Sequence, residues 1–446
     1  MHLHSTEKMD FNAMAPLHIM HYNNPDLEEK EDWDLFSTHL EDCKKIGIDA
    51  ISVDVWWGLV EPSDNQFYWS YYFKVFEKIV SSGLDIIPII SFHSFDPGPS
   101  FKFNARLPSW IWDHLSFISD FNPIELKYNS EDININQNPK FSDEYISLWA
   151  NEWAFPQYSE FINEFVQTFD KYLVNFQEIN ISLGPTGELR YPSYNSHDGG
   201  QFPNRGRMQC FSNLAKADYL RWLKDNKRQF LSNNETFLKS DTLKFLFGSK
   251  KYLEDKRTIN LIEWYNYSLM DHGNKMLKIA LNIIPKNIPI GFKIPGIHWR
   301  IDDPKMPRIA EMTCGLINAK TLDGESAYFN SLGIVLKDLP VNRLILHFTC
   351  IEQENPEIKD EILLGYSSPE DLVNEVGLAS KKLGLKLKGE NSLSKNLYKE
   401  SSWVKIKEIL STNLLSGITI MRMQDISSSN KIGQDNYRQI IRGNVD

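Results

Sequence analysis

The chain has 446 residues, 41% of them hydrophobic, which is enough for a sizeable core in one large barrel or in two to three average domains. Its net charge of −11, from 48 basic and 59 acidic residues, argues against nucleic acid and anionic membranes as main partners. Its four cysteines show neither metal-ligand spacing nor a dense disulfide pattern, so buried free thiols are expected.

The sequence shows no recognisable targeting segment. Residues 1–16 lack the apolar region of a classical signal peptide, and no stretch reaches about 18 consecutive apolar residues. We therefore expect a cytoplasmic protein without a transmembrane helix. Export by a route that needs no cleaved signal is the alternative.

Short apolar stretches alternate with helical segments along the chain. A helix is predicted at about Glu29–Ile46, because Trp33, Phe36 and Leu40 recur at helical spacing. A second helix is predicted at 68–80. The apolar stretches predicted as strands are residues 17–20, 48–55, 86–92, 176–183, 288–294, 312–317, 344–348 and 418–423.

Eight short, largely apolar strands are typical of a parallel sheet buried on both faces. Gly47 and Gly83 end the first two helices and open the next strands alike, a faint βα repeat. The pattern predicts an α/β fold, a single (β/α)8 TIM barrel spanning residues 1–446. Long loops follow strands three and four, at 94–175 and 191–287, and a short helix near 436–442 ends the chain.

Two acidic residues stand out against this framework. Residues 184–194 read GPTGELRYPSY, which sets Glu188 after a strand-like stretch and within a sharp turn. Residues 389–391 read GEN and present Glu390 in the same way. Carboxyls at the C-terminal ends of barrel strands are where such folds keep their chemistry, and two of them facing one cleft are typical of a glycoside hydrolase. A solvated loop glutamate is the alternative for Glu188.

The sequence resembles the β-amylases, glycoside hydrolases (family 14) that remove maltose from the non-reducing ends of α-1,4-glucans. Besides the two acidic segments, the resemblance rests on five strings in the family's order and at roughly its spacing. They are VDVWWGLVE at 53–61, SFH at 91–93, KIPGIHW at 293–299, FTCIE at 348–352 and MRM at 421–423. The resemblance covers residues 15–426, and no linker leads to an appended starch-binding domain.

The resemblance implies that Glu188 is the general acid and Glu390 the base that activates water. Inversion at the anomeric carbon would release β-maltose, and inverting enzymes separate their carboxyls by roughly 6.5–9.5 Å. No metal or organic cofactor is implied. The expected partner is an α-glucan (starch, glycogen or maltooligosaccharide), the expected state is a monomer, and neither nucleic acid nor membrane binding is expected.

The resemblance also implies a set of sugar-binding residues. Lys293 would bind the glucan on the reducing side, and Thr349 would help to hold Glu390. The implied substrate-binding residues are Asp54, His93, Lys293, His298, Thr349, Asn391, Ser392 and Arg422. Trp56, Trp299 and Tyr194 are weaker stacking candidates. Structural roles remain as alternatives for three of these residues. Asp54 could serve in a turn or as an N-cap, His93 could be structural, and Arg422, which is predicted to lie on strand eight, could form a structural ion pair.

One segment departs from the family. The family's lid runs HxCGGNVGD after strand three, whereas residues 93–101 here read HSFDPGPSF, so that Phe101 takes the place of the lid aspartate. Glycines permit the backbone swing of a closing lid, and prolines stiffen it. Two other functions therefore stay open, a glucan-binding or sensing protein with little turnover and a hydrolase of a different or shorter oligosaccharide.

Overall fold

The computed structural model describes residues 8–19, 29–96, 103–131, 140–194, 202–228, 246–358 and 364–443. The strands in these ranges are β1 (Asp10–Met14), β2 (Ala50–Trp56), β3 (Asp85–Ser91), β4 (Tyr128–Asn129), β5 (Phe141–Ser142), β6 (Ile179–Ile181), β7 (Ile290–Ile294), β8 (Leu344–Phe348), β9 (Lys386–Glu390) and β10 (Gly417–Ile420). The α-helices are α1 (Glu29–Ile46), α2 (Trp57–Val60), α3 (Ser70–Ser81), α4 (Trp110–Ser119), α5 (Asn151–Thr168), α6 (Asn213–Asp225), α7 (Lys256–Ile283), α8 (Ile309–Thr313), α9 (Gly324–Val335), α10 (Pro369–Leu383), α11 (Glu400–Ser411) and α12 (Lys431–Ile441).

Eight strands form a closed parallel barrel in the order β1-β2-β3-β6-β7-β8-β9-β10, while β4 and β5 form a separate antiparallel pair. The barrel closes where β1 pairs with β10, with Phe11 beside Ile418. The buried hydroxyl of Tyr437, on α12, lies 3.1 Å from the carbonyl oxygens of Asn12 and Ile418, one on each strand. The predicted (β/α)8 fold is confirmed, and all eight strands end at one face of the barrel.

The first predicted helix is confirmed as α1. Its apolar stripe packs into the main core, because Trp33, Phe36 and Leu40 are all buried. Gly47 follows the helix with φ +101° and Gly83 follows α3 with φ +73°, left-handed conformations that favour glycine at helix ends. The predicted helix at 68–80 corresponds to α3. The predicted final helix at 436–442 corresponds to α12, which begins five residues earlier, at Lys431.

Two of the predicted strands are wrong. The first barrel strand is β1, before residues 17–20, and was missed because its buried Asn12 breaks the apolar run. Residues 312–317 overlap helix α8, which places Cys314 at a helix end and not in a strand. The strand that completes the barrel is β9, whose sequence KLKGE is mostly polar.

The two long connections hold much of the structure outside the barrel. Residues 94–175 include α4, the β4–β5 pair and α5, whereas residues 191–287 include α6 and α7. Asp255 begins α7 by accepting hydrogen bonds from the backbone N–H groups of Arg257 and Thr258. The first connection begins at the C-terminal end of β3 and the second follows β6. The first residues of both therefore border the face of the barrel at which the strands end.

The four cysteines are free and buried, as expected from the sequence. Among the helices that the structure describes, none is long and apolar enough to cross a membrane.

Candidate active site

Glu188 follows a tight turn whose shape requires glycine. A side-chain carbon on Gly184 would lie 2.4 Å from the carbonyl oxygen of Glu188 and 2.8 Å from that of Arg190, which is closer than atoms can approach. Thr186 and Gly187 both have positive φ. The turn leaves the backbone of Glu188 paired beside Lys293 of β7. The turn between β6 and Glu188 therefore places this residue at the C-terminal end of the barrel.

The carboxyl of Glu188 is largely enclosed, with a side-chain exposure of 16%. Its Oε2 accepts hydrogen bonds from Thr186 Oγ1 at 3.0 Å and from Arg190 Nε at 3.1 Å. Arg190 is itself mostly buried and anchors the group. This setting differs from that of a solvated loop glutamate.

Glu390 ends β9 and is buried between two basic side chains. Lys293 Nζ lies 2.5 Å from its Oε2, and His347 Nδ1 lies 3.4 Å from its Oε1. Burial alone would raise the pKa of Glu390, but the charges of Lys293 and His347 outweigh it and lower the pKa to about 2. The carboxyl is therefore ionised at neutral pH.

Lys293 links the acidic groups of the site. Burial would lower the pKa of its ammonium, but the charges of Glu390, Glu188 and Asp54 raise it. Its backbone pairs with that of Glu188 and its side chain contacts Glu390, so Lys293 connects the two glutamates. The barrel thus brings together two glutamates that are far apart in the chain.

Asp54 and Arg422 approach the same region from β2 and from the segment after β10. Asp54 accepts a hydrogen bond from Ser91 Oγ at 3.1 Å. Burial raises the pKa of Asp54, and the nearby charge of Arg422 partly offsets that rise. Arg422 lies two residues beyond the end of β10, so its predicted position on strand eight is wrong. Its Nη1 donates to the carbonyl of Met421 at 2.6 Å.

The two histidines of the predicted site are neutral. His93 follows β3, and its Nδ1 lies 3.0 Å from Ser182 Oγ. Burial, with the charge of Lys293, lowers the pKa of His93 to about 3. His298 Nδ1 lies 2.6 Å from Ser367 Oγ, and burial lowers its pKa to about 4. A neutral imidazole offers one donor and one acceptor, which suits sugar hydroxyls.

Thr349, Asn391 and Ser392 make contacts that join neighbouring strand ends. Thr349 Oγ1 accepts a hydrogen bond from the backbone N–H of Gly296 at 3.2 Å. Asn391 Oδ1 accepts one from the N–H of Met421 at 2.8 Å. The backbone N–H and the hydroxyl of Ser392 both donate to Glu352. The contacts of Asn391 and Ser392 hold in place the backbone that follows Glu390.

The stacking candidates differ in accessibility. Trp56 is buried, and its Nε1 donates to the carbonyl of Leu17, so its ring packs in the protein. Trp299 and Tyr194 are partly buried, lie edge to face with ring centroids 4.9 Å apart, and both donate to the carbonyl of Asn204. These two are better placed than Trp56 to meet a ligand.

The divergent lid lies only partly within the structure. Phe95 exchanges two backbone hydrogen bonds with Ala105, and Asp96 pairs with Arg106. The rings of Phe95 and Phe103 pack against Trp56. Residues 97–101, which include Phe101, lie outside the described residues, so the replacement of the lid aspartate stays a prediction.

The sequence interpretation missed several charged residues inside the barrel. Glu178, His347 and Lys388 are buried inside the barrel, and Glu178 contacts both of the others. Their signal was the alternation of polar and apolar residues, in EINI at 178–181 and KLKG at 386–389. In a barrel strand, alternate residues face the interior.

A cleft of about 1090 Å³ lies between α5, α6 and α7, and neither glutamate lines it. Basic partners neutralise carboxylates that line it. Glu263 pairs with Arg228 and Lys320, and Asp271 pairs with Lys275. The described residues include no cluster of three or more His, Cys, Asp or Glu side chains that could hold a metal ion.

Comparison with known proteins gives one consistent result. The chain is 29% identical to a beta-amylase from Bacillus cereus, over 91% of this chain and 71% of that protein. It is 28% identical to a beta-amylase from Medicago sativa, over 86% of this chain and 75% of that protein. The catalytic domain of the beta-amylase from Paenibacillus polymyxa superposes with a TM-score of 0.79 at 26% identity, over 98% of both chains. The model of glycosyl hydrolase family 14 matches residues 31–442, and the chain belongs to that family.

Proposed function

We propose that this glycoside hydrolase is an inverting exo-hydrolase of α-1,4-glucans that releases β-maltose from non-reducing ends. One observation carries the proposal. Glu188 and Glu390 both meet Lys293 at one end of the barrel, Glu188 through its backbone and Glu390 through its carboxylate, and Glu390 is ionised. One acid and one base are what glycosidic hydrolysis requires.

Each carboxyl has a separate role in this reaction. Glu188 donates its proton to the leaving glycosidic oxygen as the bond from that oxygen to the anomeric carbon breaks. Glu390 accepts a proton from a water molecule, whose oxygen attacks the anomeric carbon from the opposite face. Arg190 and Thr186 orient the acid through their hydrogen bonds to Oε2.

The surrounding polar groups would bind the glucan. The neutral rings of His93 and His298 can each donate and accept a hydrogen bond. The proposed substrate-binding residues are Asp54, His93, Lys293, His298, Thr349, Asn391, Ser392 and Arg422. Asn391 Oδ1 and the Ser392 hydroxyl already form hydrogen bonds within the protein. Their other polar groups would therefore be the ones that bind the glucan.

The test is incubation with maltopentaose, followed by chromatography and by NMR of the released anomer. We expect maltose, at first in the β form. An α-anomer that appears first, or internal cuts that lower the viscosity of soluble starch before maltose accumulates, would refute the assignment. Binding of soluble starch without turnover would point to a sensing protein.

A hydrolase of short maltooligosaccharides is the second candidate. The observation that favours it is the replacement of the glycine-rich lid by a segment with two prolines, Pro97 and Pro99. At the base of that segment, Phe95 and Ala105 are bridged through their backbones. The ratio of kcat/KM for maltopentaose to that for soluble starch separates the two candidates.

A further inference from the structure

A row of charged residues, most of them buried, runs through the barrel interior towards Glu390, and the proposed reaction does not use it. Lys388 Nζ lies 3.0 Å from Asp10 Oδ2 and 2.8 Å from Glu178 Oε2. Glu178 Oε1 lies 2.6 Å from His347 Nε2, and His347 Nδ1 lies 3.4 Å from Glu390 Oε1. The imidazole therefore stands between two carboxylates, one of which is the proposed base.

This geometry favours a charged imidazole, because carboxylate oxygens lie 2.6 Å from Nε2 and 3.4 Å from Nδ1. A neutral ring carries one N–H group, so one of its nitrogens would turn a lone pair towards a carboxylate oxygen. The imidazolium has an N–H group on each nitrogen, so Nε2 can donate to Glu178 while Nδ1 turns a positive N–H group towards Glu390. It also balances the local charge, because three carboxylates (Asp10, Glu178 and Glu390) then face three cations (Lys293, Lys388 and His347).

The groups around His347 come from every neighbouring strand. Lys293 of β7 and Lys388 of β9 are its register partners, and their charges disfavour an imidazolium. Asn180 lies on β6 and Glu178 directly precedes that strand. Asn180 Nδ2 lies 3.4 Å from His347 Nε2. Burial would lower the pKa of His347, but the two carboxylates, Glu178 first, raise it.

The barrel also makes room for this ring. A side-chain carbon on Gly291, in β7, would lie 1.8 Å from Asn180 Oδ1 and 3.1 Å from His347 Nε2. A glycine within a strand often marks a close approach of another group. Here it leaves space for the ring and for the amide beside it, so the backbone is shaped around the row.

We propose that His347, held by Glu178, is a positioning residue that keeps Glu390 ionised and oriented, and so sets the acid limb of the pH–activity profile. The inference rests on the proposed role of Glu390 as the base. Glu178 keeps the imidazole charged, and Lys388 with Asp10 keeps Glu178 in place. No proton leaves the row during turnover, since its effect on Glu390 is electrostatic.

The first experiment measures kcat/KM on maltopentaose against pH for the wild type, His347→Asn and Glu178→Gln. An opposite charge near a carboxyl lowers its pKa by roughly 1–3 units, so each variant should move the acid limb upward by about one unit or more. His272→Asn is the matched control, since His272 is a buried histidine outside the barrel that contacts Asn151 and the carbonyl of Leu183. The control should leave the acid limb in place.

The second experiment needs no activity. NMR of the 13C-labelled imidazoles gives the pKa of His347, whose signal is identified by its loss in His347→Asn. We expect a value above 6.5 in the wild type and a lower value in both Glu178→Gln and Glu390→Gln, because the coupling is reciprocal. A value at or below 6.5 in the wild type overturns the inference. If His347→Asn fails to fold, Glu178→Gln carries both experiments.

The outcomes separate this inference from the proposed function. A wild-type protein that releases no maltose refutes the function, and the NMR titration still decides whether the row holds a charged imidazole next to Glu390. A wild-type protein that releases maltose, with acid limbs unchanged in His347→Asn and Glu178→Gln, refutes the inference and leaves the function standing.

Discussion

We expect the pairing of Glu390 with Lys293 and His347 to make the stability of the protein depend on pH. Its pKa falls from 4.5 to about 2, which corresponds to about 3 kcal/mol of preferential stabilisation of the ionised form. Because the folded pKa is depressed, this stability is complete above pH 4.5 and is lost as the pH falls through about 2. At pH 3 the loss already amounts to about 2 kcal/mol by the same linkage.

The assay is urea unfolding at pH 6 and at pH 3, for the wild type and for Glu390→Gln. Glutamine cannot titrate, so the variant should lose about 2 kcal/mol less than the wild type between the two pH values. Carboxylates that do not contact this row, such as Asp255, titrate in both proteins and cancel in the comparison. Equal losses in the two proteins would refute the depressed pKa of Glu390 and the pairing with Lys293 behind it.

Three further predictions concern the site and its rim. Glu188→Gln and Glu390→Gln should each lower kcat on maltopentaose by at least roughly 10²–10⁴-fold, with circular dichroism unchanged; near wild-type turnover in either would disprove that role. Gly184→Ala should lower kcat because its new methyl group would displace the carbonyl of Glu188, and an unchanged rate would show that the turn is not needed. Grafting the family's lid onto residues 94–101 should raise kcat/KM on starch, whereas an unchanged or lower value in a folded protein would mark the native loop as adapted to another substrate.

Local patterns in the sequence were sufficient for most of the barrel. The stripe of Trp33, Phe36 and Leu40 predicted α1 because a helix buries one face at a fixed spacing. Apolar runs predicted β2, β3, β7 and β8 because parallel strands are buried on both faces. The motifs around Glu188 and Glu390 also predicted a site at the strand ends, since a barrel gathers its strand ends at one face.

Only the tertiary structure decided which polar strands belong to the barrel. Lys388 and Glu390 of β9 and Asn12 of β1 are of residue types typical of exposed segments, and no local rule predicts their burial. They become acceptable inside the barrel because partners from distant parts of the chain neutralise them, as Glu178 does for Lys388.

The sequence by itself determined the fold class, the family resemblance and the two acidic segments, because each depends on spacing within a short stretch of chain. The surroundings of Glu390 depend on contacts between β6, β7, β8 and β9, which lie far apart in the sequence. The ionisation of Glu390, the raised pKa of His347 and the neutrality of His93 are set by burial and by charges a few ångströms away. These quantities exist only once the barrel has closed.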